Sequence, residues 1–112
     1  MQSNDLSTTI LSGASQSGIV DLGNDKLAGF IFPAAWDTAD LTFLGSKDGV
    51  TFYPLYNESG ETTVNITVGA LYIVRASNFF YPRYLKLRSG TSATPVNQTA
   101  DRTFTVLKGN YV

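Results

Sequence analysis

The stretch Asp40 to Tyr56, DLTFLGSKDGVTFYPLY, constrains the fold more than any other part of this chain. Leu41 and Phe43 alternate with Thr42 and Leu44, and Val50 and Phe52 alternate with Thr51 and Tyr53. Successive side chains of a strand point to opposite faces, so each run predicts a half-buried strand. Between them lies Ser46-Lys47-Asp48-Gly49. Asp tolerates a left-handed backbone and Gly adopts one without steric cost. The Asp-Gly pair therefore predicts a hairpin turn with positive φ at Gly49.

The same period recurs along the chain. From Thr62 to Val68 it sets Val64, Ile66 and Val68 on one face. From Tyr84 to Arg88 it sets Leu85 and Leu87 inward and Tyr84, Lys86 and Arg88 outward. Leu27 to Phe32 is a continuous apolar run, as in a central strand buried on both sides, and Pro33 stops it. Gly18 to Leu22, Leu71 to Ala76 and Arg102 to Lys108 read as further short strands. Ala34 to Ala39 is the one piece that reads as helical, a single turn. Asn57-Glu58-Ser59-Gly60 is a turn, and Ser89 to Ala100 a loop.

About eight or nine short strands at regular spacing predict an all-β fold, an antiparallel β-sandwich. Sheets of such strands commonly connect as Greek keys or a jelly roll. Residues 1–17, rich in Ser, Thr, Asn, Gln and Gly, are expected to form a polar N-terminal arm or an edge strand, with Thr8 to Leu11 as the strand candidate. Residues 18–112 are expected to be a single β-sandwich domain. The alternation predicts one core containing Leu41, Phe43, Phe52, Val64, Ile66, Val68, Leu85 and Leu87.

Composition narrows the function classes. Only 15% of residues are charged, against about 25% in typical domains. Either Ser, Thr and Asn cover the surface, or part of it is buried against a partner. The eight Lys and Arg are scattered and the net charge is −1, without the clustered cationic footprint that nucleic acid requires. There is no cysteine and no histidine. Disulfides, thiolate nucleophiles, the commonest general base and the commonest metal ligand are thereby removed. The residues predict no catalytic group, no cofactor and no metal centre. No apolar segment approaches membrane-spanning length. The polar start, Met1-Gln2-Ser3-Asn4-Asp5, lacks the basic and apolar regions of a signal peptide, so synthesis in a cytoplasm without export by that route is expected.

Two motifs carry a resemblance. Ser46-Lys47-Asp48-Gly49-Val50-Thr51-Phe52 resembles the S-x-D-G-x-x-[FW] hairpin of discoidin-like, galactose-binding-like jelly rolls. Arg83-Tyr84-Leu85-Lys86-Leu87 resembles the R-Y-[VIL]-[KR]-[LI] strand found late in those domains. Those domains are longer and often carry cysteines, so this chain would be a trimmed version. From Gly18 to Lys108 the chain is also similar to a group of small tailed-phage virion proteins. That similarity rests on Phe32-Pro33-Ala34-Ala35-Trp36, the Asp-Gly hairpin, Leu85 to Thr91 and the closing Arg102-Thr103-Phe104. It implies a virion structural protein, made in the host cytoplasm, that decorates or cements a capsid or joins a head, neck or tail assembly. The implied partners are phage capsid or tail proteins and further copies of the chain, with a trimer favoured.

The alternative function is a carbohydrate-binding module recognising a glycan or host surface. Its candidate residues, shared with an interface reading, are Trp36, Asp37, Tyr53, Tyr56, Tyr81 and Arg83. Trp36 with Asp37 and Asp40 could be an aromatic sugar platform with carboxylate acceptors. Its plainer reading is a core anchor whose indole needs one hydrogen-bond partner. Tyr and Arg are enriched at subunit interfaces, and ordinary packing claims several of the aromatics. Asp21, Asp25, Asp37, Asp40 and Asp48 lack the spacing of a calcium loop and suit turns and caps. Glu58 and Glu61 flank one turn and read as solvated.

Overall fold

Alternating strands with one apolar face each must bury that face against another sheet, and the chain does so. The structure, a computed structural model, describes residues 3–74 and 82–109. Among them are eleven strands and no helix. These are β1 (Ser3–Ile10), β2 (Val20–Asp21), β3 (Lys26–Ile31), β4 (Leu41–Ser46), β5 (Tyr53–Pro54), β6 (Tyr56–Asn57), β7 (Gly60–Glu61), β8 (Thr63–Val64), β9 (Leu71–Ile73), β10 (Tyr84–Ser89) and β11 (Arg102–Gly109).

One sheet has the order β1-β11-β3-β9, and the other β2-β10-β4-β5 with β8 also pairing to β4. β6 and β7 form a separate two-stranded hairpin. Every pairing is antiparallel. The N-terminal segment takes the edge-strand alternative. β1 pairs with β11 along its whole length, from Ser3 opposite Gly109 to Ile10 opposite Arg102.

Both sheets feed one core, an all-β sandwich. Leu27 and Phe30 of β3 and Phe104 and Val106 of β11 face Leu41 and Phe43 of β4 and Leu85 and Leu87 of β10. Phe32 meets Phe30 and Phe104 edge-on, each at 5.4 Å between ring centroids. Burying each such aromatic or aliphatic side chain stabilises the fold by roughly 1.5–3 kcal/mol. Gly29 is required by a close approach. A Cβ there would lie 2.1 Å from the carbonyl oxygen of Tyr72 on β9, so a side chain would force the two strands apart.

Several expectations are corrected. The hairpin after β4 is longer than two back-to-back strands, because residues 47–52 form a loop and pairing resumes with Tyr53 opposite Gly45. Gly49 does have positive φ, +77°. Its amide donates to Ser46 Oγ at 2.9 Å. Asp48 Oδ1 accepts from the amides of Val50 at 2.9 Å and Thr51 at 3.0 Å, which occupies the groups a strand would have used. Phe52 is half-buried outside the main core, beneath the Lys86 ammonium at 4.7 Å from its ring centroid.

The expected strand from Thr62 to Val68 pairs only at Thr63–Val64. Beyond it the Tyr72 hydroxyl donates to the carbonyl of Asn65, and the Ala70 amide closes a turn on Thr67 O. Val64 and Ile66 still pack on the core, whereas Val68 is exposed. The expected helical turn at Ala34 to Ala39 is an irregular loop. The two groups that would close it are engaged elsewhere. Pro33 O accepts from Gly69 N, and the Asp37 amide donates to Gln98 Oε1.

β3 is not buried on both sides, since Ile31 is exposed on its outer face. β4 is the strand that is: Thr42 and Leu44, expected on an open face, are both buried. Arg88, expected outward in solvent, is only 4% exposed.

Candidate functional site

Five of the six candidate residues are described, and they do not form one site. Trp36 and Asp37 share the loop between β3 and β4. Tyr53 lines a separate groove of about 360 Å³ with Ser46, Leu55 and Pro82. The exposed Tyr56 shares a hydrogen bond of 3.2 Å with Ser92 Oγ. Arg83 pairs with Asp21 at 3.0 Å, with both side chains half exposed. That pairing holds the Asp21 carboxyl below its ordinary value and raises the Arg83 guanidinium. Tyr81 lies outside the described residues, as do Phe79 and Phe80.

Trp36 takes the anchor role, though one part of it remains accessible. Its ring meets Phe104 at 5.5 Å and Phe32 at 6.0 Å, both edge-on, and its indole N–H donates to Ala39 O at 3.0 Å. The ring also lines an open cleft of about 720 Å³ together with Thr38, Ala39, Asp40, Ile66, Thr67 and Val68. Both walls of this cleft are held. The Tyr72 hydroxyl reaches Asn65 O and Thr67 Oγ1 on one side, and Gly69 N donates to Pro33 O across the base of the two loops.

Asp37 is a structural tie. Its carboxylate accepts from Thr99 N at 2.7 Å, Thr99 Oγ1 at 3.1 Å and Arg102 Nη2 at 2.9 Å. The Thr99 hydrogen bonds and the Arg102 charge hold its carboxyl below the usual range. Asp40, three residues on, is exposed, and its carboxylate has no partner among the described residues.

Two residues that sequence reasoning missed organise the interior. Gln98 is buried and uses all four of its hydrogen-bonding positions. Oε1 accepts from Asp37 N and Arg102 Nε, and Nε2 donates to Asp37 O and Ser89 Oγ. Glu61, read as solvated, is instead the buried partner of Arg88 Nη2. It also accepts from Ser92 N at 3.1 Å and Ser92 Oγ at 3.2 Å. Arg88 Nε donates to Thr42 Oγ1 at 3.0 Å, and the Thr42 hydroxyl in turn donates to Gly90 O at 2.6 Å. A charge this deeply buried needs a counter-charge and hydrogen bonds, and Glu61 and Thr42 supply them to Arg88. Nothing in the local spacing of Glu61 announces it.

In these clusters the Asp37 and Glu61 carboxylates are taken up by ion pairs and hydrogen bonds. Among the described residues no three His, Cys, Asp or Glu side chains gather as a metal site. No protein-family model, curated protein or solved structure matches this chain.

Proposed function

We propose that this chain is a non-catalytic structural protein of a tailed-phage particle. It decorates or cements the capsid, or joins a head, neck or tail assembly, and it works by packing. The observation that carries this reading is the outer face of the β1-β11-β3-β9 sheet. Ile31 of β3 stands opposite Leu71 of the edge strand β9, and Ile73 stands opposite Gly29. Directly opposed residues share a face, as do residues two apart. Ile31, Leu71 and Ile73 therefore form one aliphatic strip, exposed at 37%, 57% and 76%. Leu107, opposite Gly29 on β11, extends it.

A sheet with one solvated face ordinarily alternates polar residues outward. Three aliphatics on an outer face next to a side-chain-free glycine suit a dry contact with a neighbouring subunit. Covering what remains exposed of the three contributes a few kcal/mol, less than the roughly 1.5–3 kcal/mol that full burial gives each, and many copies on a lattice multiply the effect through avidity. The low charge of the chain and the resemblance of its Phe32-Pro33-Ala34-Ala35-Trp36 and Asp48-Gly49 motifs to those of small virion proteins support the same reading.

The test is incorporation. Particles are assembled in the presence of tagged wild-type chain, of Leu71→Asp/Ile73→Asp, and of the control Val50→Asp, whose site is exposed on the Asp48 loop. Wild type and the control should co-sediment with particles, and the double variant should stay behind while keeping its melting temperature. Equal incorporation of all three, or none by the wild type, would refute the reading.

A further inference from the structure

The cleft beside Trp36 plays no part in the packing proposed for the outer sheet face. Its volume, about 720 Å³, falls within the roughly 300–1,000 Å³ of small-molecule sites. One wall is aromatic, formed by Trp36. The other is the Ile66-Thr67-Val68 segment. Polar residues line it as well: Thr38, Thr67 and Asp40, whose carboxylate has no partner among the described residues.

The chemistry of this lining selects a ligand class by elimination. A divalent cation such as calcium needs six to eight oxygen ligands, and the lining holds a single carboxylate. An anion would meet that carboxylate's charge with no Lys or Arg in the lining to offset it. A quaternary ammonium is held best among several aromatic faces, and only one aromatic residue lines the cleft. A neutral polyhydroxylated ring fits all the features present. Its apolar C–H face stacks on an indole, and its hydroxyls donate to a carboxylate and exchange hydrogen bonds with threonines.

The site is also preorganised. The indole N–H is already committed to Ala39 O, and the edge-on contacts with Phe32 and Phe104 hold the ring in place. Asp37 anchors the same loop through Thr99 and Arg102, so it is not an acceptor for a ligand. Tyr72 fixes the opposite wall through Thr67 Oγ1. A rigid site loses little entropy on binding.

We propose that the cleft formed by Trp36, Thr38, Asp40 and Thr67 binds a neutral saccharide unit, with Trp36 as the stacking wall and Asp40 as the charged acceptor. This site does not depend on the outer sheet face, and its test requires no particle.

Trp36 is the single tryptophan of the chain, so its emission reports on this cleft alone. The isolated protein is titrated with galactose, glucose, mannose, N-acetylglucosamine and lactose, and separately with choline. At least one sugar should give a saturable emission change with half-saturation on the order of 1 mM. Amide NMR shifts in the same titration should centre on residues 36–40 and 66–68. Asp40→Ala changes an exposed side chain, so the fold should persist by circular dichroism while sugar affinity falls about tenfold or more. Four results would overturn the proposal: no saturable response to any of the sugars by the folded protein, binding of choline but not sugar, shifts centred on other residues, or an Asp40→Ala variant that binds as tightly as wild type.

Discussion

Removing the Glu61 carboxylate should be among the most damaging single changes this chain can suffer, although nothing in its local sequence marks it. The side chains of Arg88 and Glu61 are only 5% and 11% exposed. Glu61→Ala leaves the Arg88 guanidinium buried, with its hydrogen bond to Thr42 Oγ1 but no counter-charge. Breaking one side of a buried ion pair costs about 3–5 kcal/mol. Unfolding entropy near 60 °C is about 2.1 cal/mol/K per residue, so a chain of 112 residues loses roughly 4 °C of melting temperature per kcal/mol. The expected drop is about 12–20 °C. Replacing both partners by apolar residues, Glu61→Leu with Arg88→Met, removes the orphaned charge and should recover most of that loss. The assay is thermal and urea unfolding of the wild type, Glu61→Ala, the single variants Glu61→Leu and Arg88→Met, and the double variant that combines those two. If Glu61→Ala costs less than about 1 kcal/mol, or if the two single losses simply add in the double variant, the pair is not coupled and the reasoning fails.

Three further outcomes are expected. Gly49→Val should lose at least about 1 kcal/mol by urea unfolding, because a β-branched residue resists φ of +77° and its Cβ would meet the Tyr84 ring at 3.3 Å; an unchanged midpoint would refute this. Gln98→Leu should cost about 1–3 kcal/mol or more, since it strands the Asp37 amide and Arg102 Nε at once; a neutral effect would mean that water replaces the amide. Asp37 and Asp48 have carboxyls held below their ordinary 3.8, the first chiefly by Thr99 and the second by the Val50 and Thr51 amides. Lowered folded values mean that their stabilisation is complete above about pH 5 and is lost as pH falls through 3.8 and below. Melting curves between pH 7 and 2 should show that decline, and Asp48→Asn should weaken it, because Asn keeps the acceptor but no longer titrates.

What the sequence made legible was governed by period and by turn chemistry. The runs at Leu41 to Leu44, Tyr84 to Leu87 and Arg102 to Lys108 became β4, β10 and β11, because apolar alternation reports a face that must be buried. Gly49 was legible because its turn demands a backbone that other residues resist. The misses have a common cause, which is hydrogen bonding outside the strand ladders. Val68 left the core because Asn65 and Thr67 are claimed by Tyr72 and the Ala70 turn. Ala34 to Ala39 gave no helix because Gln98, far along the chain, takes the Asp37 amide. Arg88 looked outward by period, yet the β6–β7 hairpin carries Glu61 to it. In the candidate cleft Trp36 was legible as an aromatic among loop acids. The division of labour between Asp37 as a tie and Asp40 as an open carboxylate depends on Thr99 and Arg102 and could not be read locally.

The packing claim is tested most directly by a high-resolution electron-microscopy reconstruction of phage particles assembled in the presence of this chain. The account predicts density for the sandwich at regular lattice positions, with Ile31, Leu71 and Ile73 buried against a neighbouring subunit and the Trp36 cleft open to solvent. A particle lacking the chain, or one in which those three aliphatics face solvent while another surface makes the contacts, would contradict it.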